Sequence, residues 1–370
     1  NFKFTGDIYA IPDGTPVFPN EPLLTVKAPL NQAQIIETAI LCMLNGAMEH
    51  ATGARCIIEA TPEGVSVMEF GARRADGQEA AIDSSIYGIM AGCMGTSNVL
   101  AADMLNMKAI GTMAHSWIES FDSELEAFKK FAETYPENCI LLVDTYDTLK
   151  SGIPNAIKTF KYMEENNIPT TNIGVRIDSG DLAYLSKEAK KMFVQAGLPD
   201  VKICLSNGLN EYTISELIKQ GADIGSIGCG DNISASKERV GGVYKLVAVE
   251  KDGQIIPKIK VSNDSIKTIN PGYKKVYRFS DKETGYILGD VIALYDEEID
   301  KNRYVLIDPV DSWKRTDIEN YDVRELQVPI FKNGQLVYQI PSIMERREYC
   351  AKEFETLYPE ITRLSNPHGY

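Results

Sequence analysis

Between residues 65 and 231 two patterns alternate along the chain. Short apolar runs, "VSVMEF", "MKAIGTM", "CILLVDTY", "NIGVRID", "VKICLSNG" and "ADIGSIGCG", have the length and β-branched content of buried strands. Between several of them lie amphipathic stretches of helical period: "SELEAFKKFAETY", "IPNAIKTFKYMEENN", "LAYLSKEAKKMFVQAG" and "NEYTISELIKQG". Strands that alternate with helices run parallel, because each helix carries the chain back across the sheet. The spacing is compatible with an open doubly wound sheet or a closed barrel. Six or so repeats favour the barrel, so the expected fold is a TIM-like irregular α/β barrel.

The flanks read differently. Residues 1–28 resemble short strands broken by Pro and Gly, and "NQAQIIETAILCMLNGA" then places Ile36, Ala39, Ile40, Met43, Leu44 and Ala47 on one helix face. After "GGVYKLVAVE" come strands and turns: "QIIPKIKVS", "KKVYRFS", "TGYILGDVIAL", "NRYVLIDP" and "LQVPIFKNGQLVYQI". The expectation is a discontinuous β-rich second domain built from the N- and C-terminal segments, residues 1–35 with 246–340, around a barrel domain at 36–245. A C-terminal helix and tail follow at 341–370, the helix opened by a Ser342/Glu345 capping box.

Composition removes several classes of function. A formal net charge of −14 repels nucleic acid and anionic membranes over most of the surface, so any phosphate must meet a local basic pocket. Seven scattered cysteines without a CxxC pair read as buried thiols of a reducing, cytoplasmic compartment. No apolar run approaches the roughly eighteen residues of a membrane span. The chain begins at Asn1 with neither initiator Met nor signal pattern, which leads us to expect truncation or processing at its start.

In an α/β barrel the chemistry gathers where strands end. Here the strand ends carry Glu69, Phe70, Gly71, Arg73 and Arg74; Gly111, Thr112 and His115; Asp144, Thr145 and Tyr146; Arg176, Asp178, Ser179 and Asp181; Ser206, Asn207 and Gly208; Gly228, Gly230 and Asp231. The last two groups suit phosphate. Gly208, Gly228 and Gly230 let backbone N–H groups approach an oxyanion, and Ser206 and Asn207 supply side-chain donors. Tight turns need the same residues, and both readings stay open for each loop taken alone. Arg73, Arg74 and Arg176 present forked donors for carboxylate or phosphate. Asp178 shares a face with Arg176 by the two-residue strand period, whereas Asp181 reads equally as a helix N-cap. Of three histidines, His50 falls in a helix and His368 in the tail, which leaves His115 at the catalytic rim beside Gly111 and Thr112.

With these residues in hand, the chain resembles the nicotinate phosphoribosyltransferase family of type II phosphoribosyltransferases. The resemblance runs through "EFGARRA", "GTSNVLAA", "GTMAHS", "LVDTYDT", "GVRIDSGDL", "LSNGLNE" and "GGVYKLVAVE", in the family's order. It implies synthesis of nicotinate mononucleotide from nicotinate and 5-phosphoribosyl 1-pyrophosphate, in NAD biosynthesis, coupled to ATP hydrolysis through a phosphohistidine at His115. By the same resemblance Arg176 holds the nicotinate carboxylate, Thr112 lies against the pyridine ring, and Arg73 faces the ring or the pyrophosphate. Asp178, Ser206, Asn207, Gly208, Gly228, Gly230 and Asp231 line the phosphoribosyl site. Asp144 is the candidate to orient His115, since a nucleophilic imidazole needs its other nitrogen held. Mg²⁺ arrives on the substrate, with no protein metal site, and a homodimer with a shared active site is implied.

Two departures accompany the resemblance. Asp231 stands where many relatives carry Thr or Ser, and must turn outward, meet a metal or lysine, or mark a divergent subgroup. The family's N-terminal aromatic segment, which stacks on nicotinate in a neighbouring subunit, is expected to precede Asn1. The rival readings are nicotinamide phosphoribosyltransferase, for which an acid is expected in place of Met113; quinolinate phosphoribosyltransferase, which needs a larger basic cluster; and a non-catalytic nucleotide-binding barrel.

Overall fold

The structure, a computed structural model, describes residues 2–235, 240–261, 269–309 and 311–368. The chain divides into two units, Gly46–Arg239 and a discontinuous one of Asn1–Asn45 with Val240–Tyr370. One division falls inside the long helix Glu37–Ala60, later than the sequence boundary at 35/36. The C-terminal helix Ile343–Glu355 belongs to the discontinuous unit instead of standing apart. Its capping box is present, with Ser342 and Glu345 each satisfying the other's backbone N–H. Among the described residues no helix is long and apolar enough to cross a membrane.

The Gly46–Arg239 unit is built on six parallel strands. Their spatial order is Gly95–Thr96, Ser66–Glu69, Ser226–Cys229, Lys202–Ser206, Ile173–Ile177 and Cys139–Leu142. The last strand in the chain therefore pairs with the first, Val67 opposite Ile227. Followed in chain order, the strands are neighbours everywhere except between Gly95–Thr96 and Cys139–Leu142, where no ladder forms. The expected strand "MKAIGTM" lies in this interval and is not a strand. Ile110 donates one backbone bond to Thr96 at 2.9 Å and packs on Gly95, and the segment then runs irregularly to the helix at His115. A two-residue neighbour offers too little edge to extend a ladder.

The interior explains the strand composition. Cys139, Leu141, Leu142 and Val143 are all but inaccessible, because both faces of this parallel sheet are covered. Phe128, Phe160 and Phe193, from the helices Glu124–Thr134, Ile153–Glu165 and Leu182–Gln195, are fully buried in the same core. Each is worth about 1.5–3 kcal/mol of burial. Helix starts follow local chemistry: Ser123, Asp181 and Asn210 cap their helices with side-chain oxygens. Asp181 is thus an N-cap, accepting from Tyr184 N at 3.0 Å.

The other unit is antiparallel. Asp7–Ala10 lies between Leu24–Lys27 and Val328–Lys332, with Gln335–Leu336 at the edge, so the two ends of the chain share one sheet. Lys274–Asp281 pairs with Ile287–Leu294 and with Tyr321–Glu325. Two hairpins, Ala248–Lys251 with Gln254–Pro257 and Arg303–Ile307 with Arg315–Glu319, complete the sheets. Asp252-Gly253 and Asn333-Gly334 turn two of the hairpins with φ of 54° and 76°, and 49° and 75°, the left-handed conformations that such two-residue loops require. The strand run "QIIPKIKVS" is strand only over Gln254–Pro257, and its last residue lies outside the described ones.

Candidate active site

The candidate residues meet at the C-terminal ends of the parallel strands. Arg176, the penultimate residue of Ile173–Ile177, reaches three neighbours. Its Nε donates to Ser206 Oγ at 2.8 Å, Nη1 to Thr112 Oγ1 at 2.9 Å and Nη2 to Asp178 Oδ1 at 2.8 Å. Ser206 in turn donates to Asp178 Oδ1. Arg176 and Asp178 share a face as the strand period requires, and Ser206 comes from the adjacent strand, register-paired at Arg176–Cys204. The guanidinium lies 5.7 Å from the centre of the Phe70 ring, close enough for a cation–π contact. A guanidinium has five N–H donors, and these bonds use three, which leaves one on each terminal nitrogen. Among the described residues these donors have no partner, and a carboxylate can accept from such N–H groups. The Arg176 side chain is 17% exposed, dry enough to strengthen such a contact and open enough to be reached.

His115 opens the short helix His115–Glu119, and its Nδ1 lies 3.1 Å from Thr145 Oγ1. The expected partner, Asp144, is engaged elsewhere: its Oδ2 accepts from the backbone N–H of Asp178 at 3.1 Å and from the Ser179 hydroxyl. The reason is alternation past the end of a strand, which aims neighbouring side chains in different directions. Thr145 faces the imidazole, and Asp144 secures the loop that carries Asp178. Among the described residues Nε2 of His115 has no hydrogen-bond partner, and neither has the buried Oδ1 of Asp144.

Of the three loop glycines, Gly228 and Gly230 are closely packed and Gly208 is open. Asn207 and Gly208 are both left-handed, φ 95° and 60°, and exposed at the end of Lys202–Ser206. A Cβ on Gly228 would lie 2.7 Å from the Phe70 ring, so this glycine makes room for the aromatic side chain. A Cβ on Gly230 would lie 3.0 Å from the Phe70 carbonyl oxygen. Asp231 meets a cation, Arg74, whose Nε is 3.1 Å from Asp231 Oδ1. Arg73 is exposed and has no ion-pair partner among the described residues.

Glu69 has the least expected setting. It ends the strand Ser66–Glu69 and is fully buried, and both carboxylate oxygens are occupied. Oε1 accepts from Gly71 N and, at 3.4 Å, from Ser234 Oγ; Oε2 accepts from Ser85 Oγ at 3.0 Å and from Thr96 Oγ1. One carboxylate thus ties together the loop after its own strand, the end of Gly95–Thr96 and the short helix Asp231–Ser234. Among the described residues no group of three or more His, Cys, Asp or Glu is placed to hold a metal ion.

Residues 65–286 match a model of the nicotinate phosphoribosyltransferase (NAPRTase) family, and residues 273–370 match the nicotinate phosphoribosyltransferase C-terminal domain. The chain is 41% identical over 365 residues to the nicotinate phosphoribosyltransferase of Bacillus subtilis (strain 168), covering 98% of this chain and 74% of the relative. This chain belongs to the nicotinate phosphoribosyltransferase family. Among solved structures it is similar to human nicotinic acid phosphoribosyltransferase, with TM-score 0.83 and 27% identity over 99% of this chain and 80% of that one. It is also similar to the nicotinate-nucleotide pyrophosphorylase of Pyrococcus furiosus, with TM-score 0.76 and 28% identity over 96% of this chain and 82% of that one. Within this member of the family, Phe70, Thr145 and Glu69 join the expected site residues through contacts across strands. The sequence places all three at strand ends but gives none of them a role there.

Proposed function

We propose that this chain forms nicotinate mononucleotide and pyrophosphate from nicotinate and 5-phosphoribosyl 1-pyrophosphate, with ATP hydrolysis coupled through His115. The observation that carries the reading is the set of unspent donors of Arg176 over the Phe70 ring: a cation for a carboxylate beside a π-face for the ring that bears it. Met113 is buried where the nicotinamide enzyme is expected to carry an acid, which favours the nicotinate reading. Phosphate binding falls to the loops of Ser206, Asn207 and Gly208 and of Gly228 and Gly230, with Arg73 facing the pyrophosphate. We read the six-stranded sheet that carries them as an irregular TIM-like barrel open at one seam.

In the transfer, the pyridine nitrogen bonds to C1′ of the ribose as the C1′–oxygen bond to pyrophosphate breaks. No protein nucleophile acts on the sugar. Positive charge develops on the ribose and negative charge on the leaving group, and fixed donors at the strand ends favour that separation. Magnesium, carried in on the pyrophosphate, would supply further charge neutralisation. Thr145 holds Nδ1 of His115, so Nε2 is the atom that would take the γ-phosphoryl group. A homodimer that shares its sites completes the proposal.

His115→Asn tests it, because Asn keeps a polar contact but forms no phosphoramidate. The variant should fold, lose ATP hydrolysis and the acid-labile phosphoenzyme seen by intact mass, and retain slow ATP-independent synthesis. Undiminished ATP hydrolysis coupled to product would remove His115 from the mechanism.

A further inference from the structure

Asp231 follows the Gly-Cys-Gly exit of the strand Ser226–Cys229, where a free carboxylate would repel the phosphate assigned to that loop. Arg74 answers the charge, and the way the pair is mounted is informative. The two residues lie just beyond neighbouring strands, Arg74 at the end of the 3₁₀ turn Ala72–Arg74 and Asp231 at the start of the helix Asp231–Ser234, with Glu69 register-paired with Cys229 and Phe70 N donating to Cys229 O at 2.7 Å. Beneath the pair the backbones are locked. A Cβ on Gly71 would lie 1.9 Å from Ser234 Oγ and 2.6 Å from Gly230 O, and the Glu69 carboxylate clasps Gly71 N and Ser234 Oγ together. Above that base the side chains of Arg74 and Asp231 remain 56% and 54% exposed. An ion pair so exposed holds weakly, and another anion competes for it readily. A phosphate group brings more charge and three acceptor oxygens to the same guanidinium.

We propose that Asp231 is a specificity-determining counter-anion: it holds Arg74 beside the phosphoribosyl site and releases it to the incoming phosphate group. The site then selects by charge, since a dianionic phosphate displaces Asp231 whereas a neutral sugar hydroxyl leaves the pair closed. This rests on the phosphoribosyl reading of the Gly228–Gly230 loop.

The test is a double-mutant cycle on the full chain, with the affinities of 5-phosphoribosyl 1-pyrophosphate and inorganic phosphate measured by isothermal titration. Arg74→Gln should weaken both ligands about tenfold, because a charge-assisted contact is lost and Asp231 is left bare. Asp231→Asn should tighten both a few-fold by freeing Arg74, and the double variant should recover only the part of the Arg74→Gln loss that comes from the bare Asp231. All four proteins should melt together, since the pair is exposed. Identical affinities in the four would overturn the proposal and leave a surface ion pair. Weaker binding in Asp231→Asn would overturn it as well, making Asp231 a direct aid to binding. Absence of any binding of 5-phosphoribosyl 1-pyrophosphate by the unaltered chain would instead sink the phosphoribosyl reading itself.

Discussion

Arg278 in the β-rich unit and Arg176 in the parallel-sheet unit each pair with an aspartate, on quite different terms. Arg278 is 1% exposed and Asp290 4%. The two meet side-on, Nε to Oδ1 at 2.9 Å and Nη2 to Oδ2 at 2.6 Å. Nη2 also donates to Pro16 O at 2.8 Å, and Glu353 lies 3.5 Å from Nη1. Arg324 adds a second cation at Glu353. This network pins the N-terminal segment to a sheet from the far end of the sequence, and it spends the planar fork on a protein carboxylate. Arg176 gives each of three nitrogens a single partner and keeps an N–H on both ends of the fork. The same chemistry is a staple where it is dry and shared between buried carboxylates, and stays reachable from solvent where it is partly exposed.

The comparison is open to attack from both sides. The largest expected effect is on stability: Arg278→Met leaves the Asp290 and Glu353 carboxylates buried without their shared cation, a loss of about 3–5 kcal/mol. Thermal denaturation measures it, and a smaller loss than for Arg176→Met would reverse the assignment of the two pairs. Next comes Arg176→Lys, which removes the planar guanidinium while keeping the charge. The KM for nicotinate should rise about tenfold or more, with little change for 5-phosphoribosyl 1-pyrophosphate. Equal rises for both substrates would make Arg176 a structural residue like Arg278.

A test of a different kind concerns Glu21, whose carboxyl is pushed up from 4.5 to about 9, first by burial and then by its hydrogen bond to Asp290 and that residue's charge. A carboxyl whose folded pKa is raised contributes stability that is fully present below its unfolded pKa and is lost as pH rises through the folded one. Wild-type stability therefore falls between about pH 4.5 and pH 9 on account of this group. Glu21→Gln keeps a donor for Asp290 and cannot ionise, so its melting temperature should exceed wild type increasingly over that window. A constant difference across the window would show that Glu21 does not take up a proton on folding.

Much of the candidate site's geometry was legible where short-range rules apply. Ser206 and Asp178 were found because a strand run ends at each, and Arg176 with Asp178 because side chains two apart share a face. His115 stood out by scarcity and by its polar neighbours. Contacts between strands distant in the sequence had no local signature. Thr145, adjacent to the expected Asp144, holds the imidazole because of the direction its side chain takes, which is set by how the two loops face one another. The partner of Asp231 is an arginine from the opposite end of the same unit's sequence, and Gly228 is explained only by the ring of Phe70 above it. "MKAIGTM" misled because its apolar pattern is that of a strand, whereas its neighbour offers only a two-residue edge.

The sequence by itself determined the alternation of strand and helix, the helix caps, the Asp-Gly and Asn-Gly turns and the residues at each strand end. These depend on backbone sterics and side-chain period over a few residues. Tertiary structure alone decided where the parallel ladder stops, which carboxylates are clasped and which are open, and which guanidinium stays reachable from solvent. Those outcomes depend on the desolvation and mutual distance of groups that the chain brings together only when it folds, and a linear pattern carries no record of either.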